Sequence, residues 1–230
     1  MFKYINISIN DNMRWIMSKI IILATSKGGA GKSTLVRGLA AHWFNLGKNV
    51  AVIDADPQAS VYNRHDHDGK LKGMKVIAEP EENVEHVIDE IRAKHDLILV
   101  DTGGFRNRTT IRALIKSDLA IIPLKPSSDD VSGAIETYQL IKELNETAEL
   151  VARPIKYQMI LTMTQQGTVI ARHIRQELES IGYKVFKREM FHRVSYPEAA
   201  LSGLSPCITD PEGAAARDIA AIAQEVAELL

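Results

Sequence analysis

Residues 27–34 read KGGAGKST, and what stands on either side of them decides the fold. Residues 20–25, IIILAT, form a short apolar run that ends at this loop. Beyond it Leu35, Leu39 and Trp43 recur at helical spacing, with Val36, Ala40 and Phe44 beside them. Strand, glycine-rich loop and helix, in that order, build a backbone cradle for phosphate. Gly28, Gly29 and Gly31 permit angles that side chains forbid. Amides can then turn inward around phosphate oxygens, with a helix N-terminus behind them. In such a loop Lys32 adds charge at the β- and γ-phosphates and the Ser33 hydroxyl can bind Mg²⁺. The competing reading is a glycine-rich turn without a ligand. A complete Gly-Lys-Ser between a strand and a helix weighs against it.

Working outward, apolar runs alternate with helical patterns. Gly47 is a good terminator for the first helix. Residues 50–53 form the next strand and end at Asp54, and 63–73 (NRHDHDGKLKG) are polar and loop-like. Further strands are expected at 76–78, 97–100, 119–123, 157–162 and 183–186. Helices are expected around 84–91 and at 109–116, 131–145, 169–180, 196–201 and 211–230. The alternation predicts an α/β fold, a mostly parallel twisted sheet with helices on both faces. Loops at the carboxyl ends of the strands then carry the ligand site, and Asp54, Asp101 and the glycine loop all fall there. Without a repeat, low-complexity tract or clear linker, residues 19–230 read as a single domain. Residues 1–18 read as an N-terminal extension or arm with Met17 as the natural start; the first 16 lack the continuous apolar core of a signal peptide. The alternative is a short strand at the sheet edge.

The chain has 230 residues, a formal charge of −1 and 45% hydrophobic residues, which suits one α/β domain. A charge near zero excludes a globally basic nucleic-acid binder but leaves room for a local patch. Cys207 is the only cysteine, so an intramolecular disulfide and a cysteine-framed zinc or iron–sulfur site within one chain are excluded. That accords with a reducing cytoplasm. No apolar run approaches the roughly 20 residues that span a bilayer.

Lys27 opens the loop five positions before Lys32, where the usual phosphate-loop pattern leaves the residue free. By spacing alone it reads as a solvated surface lysine. Four motifs in order change that reading. They are Lys27-Gly28-Gly29-Ala30-Gly31-Lys32-Ser33-Thr34; Asp54-Ala55-Asp56-Pro57-Gln58; an apolar strand ending in Asp101-Thr102; and Pro123-Leu124-Lys125-Pro126-Ser127. With them the chain resembles the ParA/MinD family of deviant Walker-A ATPases. Their loop is KGGxGK[ST][ST] and their later motifs are DxDPQ, a strand ending in D-T, and P-x-x-P-S. Weaker similarity continues through LTMT (161–164) and PEAALSG (197–203).

The resemblance implies ATP and Mg²⁺ as cofactors and a homodimer in the ATP state. Lys27 then crosses the interface to the partner's ATP, so that ATP joins two subunits. An ammonium held against a triphosphate in a desolvated interface gains far more than it would in water. Asp56 positions or activates the attacking water, so Lys27, Lys32 and Asp56 form the catalytic set. Asp54 lies near the Mg²⁺ shell with Ser33, and Asp101 matches the aspartate that holds Mg²⁺ through water. Adenine contacts are expected from Met163 and Thr164 and from 204–207. A lone aspartate at a strand end is usually a cap or a turn residue, but three beside a full phosphate loop reverse those odds. Nothing resembles a strong general base, so slow hydrolysis stimulated by a partner is expected. Many relatives have D-T-P-P where this chain has Asp101-Thr102-Gly103-Gly104, and the two glycines are expected to make that loop more mobile.

The family includes partitioning ATPases, membrane-bound division regulators, reductase iron proteins, biosynthetic enzymes and tyrosine kinases. One cysteine cannot supply a reductase cluster, and a tyrosine-rich tail is absent. The last helix carries Asp218, Glu225 and Glu228 against Arg217 as its only cation, so an anionic membrane would repel it. Non-specific DNA fits better. Residues 172–193 hold Arg172, Arg175, Lys184, Lys187, Arg188 and Arg193, and Arg172, Arg175, Lys187, Arg188 and Arg193 are the candidate phosphate contacts. On charge alone a solvated face is equally good; the resemblance favours DNA. With 26 residues before the loop, the helix-turn-helix domain of the larger relatives is not expected. The resulting expectation is a cytoplasmic, nucleoid-associated DNA-partitioning ATPase with a ParB-like partner. The alternatives are a positioning ATPase for a protein cargo or a metabolic enzyme of the same fold.

Overall fold

The computed structural model describes residues 18–103 and 106–230. The expected N-terminal extension, apart from Ser18, and Gly104 lie outside them. The chain runs β1 (Lys19–Leu23), α1 (Lys32–Asn45), β2 (Val50–Ala55), α2 (Ser60–Asn63), β3 (Lys75–Ala78), α3 (Val84–Ile91), β4 (Leu97–Thr102) and α4 (Arg108–Lys116). It continues through β5 (Leu119–Leu124), α5 (Ser128–Asn145), β6 (Lys156–Thr164), α6 (Val169–Ser180), β7 (Met190–Phe191), α7 (Ser195–Leu201), α8 (Pro206–Thr209) and α9 (Ala214–Leu229).

The strands form one sheet in the order β3-β2-β4-β1-β5-β6-β7, and all its ladders are parallel. The central strands read as unbroken apolar runs because both of their faces are covered. Side chains still alternate. Ile21 and Leu23 of β1 join Leu97 and Leu99 of β4 in a core with α1 and α9. Ile20, Ile22, Ile98 and Val100 point the other way, into a core closed by α3, α4, α5 and α6. Each fully buried Ile or Leu contributes about 1.5–3 kcal/mol. Between α1 and α9 the approach is close: a Cβ on Gly38 would stand 2.7 Å from the Ile219 Cδ1.

Two expectations change. The last strand is not 183–186. Val185 makes a single bridge to Met159, and the strand proper is Met190–Phe191, paired with β6 on either side of an irregularity at Met163. The chain turns away after Phe186 because the Glu225 carboxylate accepts the amides of Lys187 and Arg188, at 2.8 and 3.1 Å. The segment 211–230 is not helical throughout. Residues 211–213 form a turn and α9 begins only after Gly213; ahead of them a separate turn of helix, α8, is capped by the Ser205 side chain.

Candidate functional site

The loop leaves the central strand β1 at its carboxyl end. Gly29 and Gly31 have φ of 71° and 83°, left-handed values that favour glycine. A Cβ on Gly31 would also lie 2.8 Å from the Met190 Cε. The loop is tied to β6, where the buried Thr162 hydroxyl donates to the Ala30 carbonyl at 2.8 Å. Helix α1 starts at Lys32 with Gly31 as its cap, so its first amides, which have no acceptor within the helix, face the loop's hollow. The loop borders an open cleft of about 520 Å³ together with Asp56, Pro57, Gln58, Ser60, Gly103 and Met163. Lys32 is buried at its base, and the Ser60 hydroxyl lies 3.5 Å from that of Ser33.

Strands β2 and β4 bring Asp54 and Asp101 side by side in register. Both are fully buried, but their surroundings differ. The Asp54 Oδ2 accepts the amides of Val61 and Tyr62, at 2.7 and 2.9 Å, and its Oδ1 accepts that of Asp56 at 3.2 Å. Asp54, expected near a metal shell, therefore has its oxygens engaged in building α2. Neither oxygen of Asp101 has a hydrogen-bond partner among the described residues. Burial, reinforced by the Asp54 charge, pushes the Asp101 carboxyl up to about 7, although the Ser33 hydroxyl and the Lys32 ammonium pull it the other way.

Asp56 sits half-buried at the rim of the cleft, where its Oδ1 accepts the Gln58 amide at 2.9 Å. Gly103 has a packing reason beside it: a Cβ there would stand 2.8 Å from the Pro57 Cδ and 2.9 Å from the Asp56 Cγ. The missing side chain lets the two loops close on each other. Arg37, one turn into α1, donates to the Ser60 carbonyl and so fixes the start of α2 from behind.

Lys27 is half-buried and does not line the cleft; its stem lies on Gly133 of α5. Met163 enters the cleft because its backbone, at φ 52°, swings it out of β6. Thr164 does not follow. The ladder resumes there, and the residue is buried with its hydroxyl away from the cleft lining. Residues 204–207 also lie elsewhere: Leu204 and Ser205 border a small hollow with Arg37 and His65, and Cys207 packs on α1 at Gly38.

The basic segment is only partly free. Arg172, Lys187 and Arg188 are exposed. Arg175 pairs with Glu189 at 2.7 Å, and Arg193 grips Asp218 through two nitrogens, at 2.6 and 3.2 Å. Those two guanidinium groups join elements of the fold. Among the described residues, no helix is long and apolar enough to cross a membrane.

Three further residues shape the site without having been assigned a role from the sequence: Thr162, which holds Ala30, and Gly133 and Thr137, which meet the start of the loop; the mid-helix glycine is the one local signal that could have pointed to them. Residues 21–207 match the family described as the CobQ/CobB/MinD/ParA nucleotide binding domain. Protein ParA of Rhizobium radiobacter is 26% identical over 185 residues, which cover 77% of this chain and 80% of that protein. The maintenance of carboxysome distribution protein A of Halothiobacillus neapolitanus is 26% identical over 201 residues, covering 86% and 91%. Among solved structures, the septum site-determining protein MinD of Pyrococcus horikoshii, complexed with Mg-ADP, superposes with a TM-score of 0.71 at 18% identity, over 91% of this chain and 96% of that one.

Proposed function

The chain belongs to the CobQ/CobB/MinD/ParA nucleotide-binding family, and from that premise we propose that it is an ATP-dependent DNA-partitioning ATPase. The observation that carries this reading is the pairing of two lysines around one loop: Lys32 at the base of the cleft and Lys27 outside it.

The residues present fit a magnesium nucleotide. Gly28 and Gly29 leave open space where side chains would stand, and Asp101 is a buried acid whose two oxygens have no hydrogen-bond partner among the described residues. The loop amides and Lys32 would hold phosphates, and Ser33 and Asp101 would hold the cation. Bound ATP supplies the terminal phosphoryl group and the negative charge that Lys27 of a second protomer can meet. Asp56, at the rim, is positioned to orient a water. Positioning and charge neutralisation are most of what phosphoryl transfer requires. Met163 borders the same cleft and is the candidate contact for the base. Arg172, Lys187 and Arg188 are the candidate DNA contacts, and pairing two protomers doubles their number, so weak contacts become cooperative. A ParB-like partner stimulates hydrolysis, the pair separates and DNA is released. The cycle runs in the cytoplasm on the nucleoid.

The test is co-sedimentation with DNA in ATP, in ADP and without nucleotide. Retention in ATP alone is expected; equal retention in all three conditions defeats the reading. A second reading is a positioning ATPase for a protein cargo, favoured by the similarity to the carboxysome distribution protein. It shares the DNA-bound cycle and differs in the adaptor. A pull-down that recovers a centromere-binding protein supports partition, and one that recovers a cargo-shell adaptor supports positioning.

A further inference from the structure

The loop's first lysine is held by a helix outside the loop. Gly133 lies in the second turn of α5. A Cβ there would stand 2.5 Å from the Ser26 Oγ, 2.6 Å from the Lys27 Cγ and 3.3 Å from the Lys27 Cε. The space of a missing side chain is thus filled by Lys27 and its neighbour. Glycine is unfavourable inside a helix, so its presence points to a packing or functional reason. One turn later Thr137, fully buried, accepts the Ser26 amide at 3.2 Å and donates its hydroxyl to the Gly133 carbonyl at 2.8 Å. Helix α5 is itself locked at its start. The Ser127 hydroxyl donates to Asp130 at 2.7 Å, and the other Asp130 oxygen accepts the Lys125 amide at 3.3 Å. The P-x-x-P-S motif therefore anchors the helix that carries the notch.

We propose that Gly133 and Thr137 are positioning residues for Lys27: they fix where its ammonium leaves the chain and thereby control ATP-dependent pairing of two protomers. Thr137 sets the backbone at the entrance to the loop, and Gly133 gives the lysine stem a track along α5. Neither residue lines the cleft, so binding of nucleotide to one chain does not depend on them. The inference rests on the reading of Lys27 given above.

Self-association in ATP is measured by sedimentation, and ADP affinity by calorimetry, for Gly133→Ala, Thr137→Val and Thr137→Ser, with Lys27→Ala as the reference. Gly133→Ala and Thr137→Val are expected to weaken pairing at least about tenfold and to leave ADP affinity at the parent's value. Thr137→Ser, which keeps the hydroxyl, is expected to restore pairing. Gly133→Ala in a Lys27→Ala background is expected to add nothing, because it acts through the lysine. If Lys27→Ala pairs like the parent, the reading of Lys27 fails. If Lys27→Ala is defective while folded Thr137→Val or Gly133→Ala pairs normally, the positioning role is overturned. A parallel loss of ADP affinity also overturns it, since the whole loop would then have moved.

Discussion

Asp54 and Asp101 stand opposite each other in register on β2 and β4, both fully buried, yet among the described residues Asp54 has three amide donors within hydrogen-bond distance and Asp101 has none. The same residue type at the same depth therefore does two jobs. Asp54 supplies acceptors that the start of α2 lacks. Asp101 has no donor among the described residues and is left buried beside the charge of Lys32, at a cost in stability.

Removing the Asp54 side chain should unfold the nucleotide-free protein more easily. The substitution Asp54→Ala strips an acceptor from three amides at 2.7, 2.9 and 3.2 Å. Each buried polar group left unpaired costs about 1–3 kcal/mol. Urea denaturation is expected to show a loss of several kcal/mol for Asp54→Ala and a smaller one for Asp54→Asn, which retains one oxygen. Parent-like stability of Asp54→Ala in the absence of Mg²⁺ would show that the cap contributes little.

Asp101 should behave in the opposite sense. Its carboxyl is raised from an ordinary 3.8 to about 7 by burial, with Asp54 adding to the effect. The folded chain then binds a proton that the unfolded chain has already released. Stability from this group is present below about pH 4 and is lost as pH rises towards 7. Asp101→Asn removes the dependence. The nucleotide-free variant is expected to melt above the parent at pH 8, by about 2–4 °C for each kcal/mol recovered, and to converge with it near pH 4. Melting curves across that window check the claim, and a parent-like slope in the variant would contradict it. The same variant is expected to lose any thermal protection by Mg²⁺ and nucleotide together.

These two residues also mark how far the sequence could be read. The loop, the parallel sheet and most helices announce themselves through short-range patterns: a glycine cluster, apolar runs, apolar residues at three and four apart. What stayed hidden depends on chain segments meeting in space. The last strand has no signature of its own, because two residues make no pattern and because Glu225, some forty positions on, diverts the turn before it. Asp54 matched a motif, but no spacing shows that its acceptors serve amides seven and eight residues later. Gly103 looked like a source of mobility, yet its neighbour across the gap is the turn at Asp56 and Pro57. Charge counting found the basic segment but could not tell Arg188, which is exposed, from Arg175, which faces Glu189.

That distinction can be measured. Lys187→Ala and Arg188→Ala are expected to weaken DNA binding across all sequences and to reduce the slope of log affinity against log salt by about 1 each, with little change in melting temperature. Arg175→Ala leaves Glu189, whose side chain is only 18% exposed, without its cation. Its first effect should be on stability, on the order of 1–3 kcal/mol, and Arg193→Ala should resemble it through Asp218. If Arg175→Ala keeps its stability but lowers the salt slope, the arginine is a phosphate contact after all.

Glu225 offers a sharper case, because two effects oppose each other there. Its carboxylate accepts both amides of the turn that displays Lys187 and Arg188, so losing it should loosen that display and weaken DNA binding. It is also a negative charge beside cations, so losing it should favour an approaching phosphate backbone. Glu225→Gln and Glu225→Ala remove the same charge. Only the amide keeps an oxygen that can accept one of the two hydrogen bonds. The difference between the two variants therefore isolates the hydrogen bonds from the electrostatics. Glu225→Ala is expected to bind DNA about 3–10-fold more weakly than Glu225→Gln, the size of one net hydrogen bond. Both variants should keep the parent's nucleotide affinity, since the turn does not border the cleft. Equal affinities in the two variants, both above the parent, would mean that only the charge matters and that the turn needs no anchor.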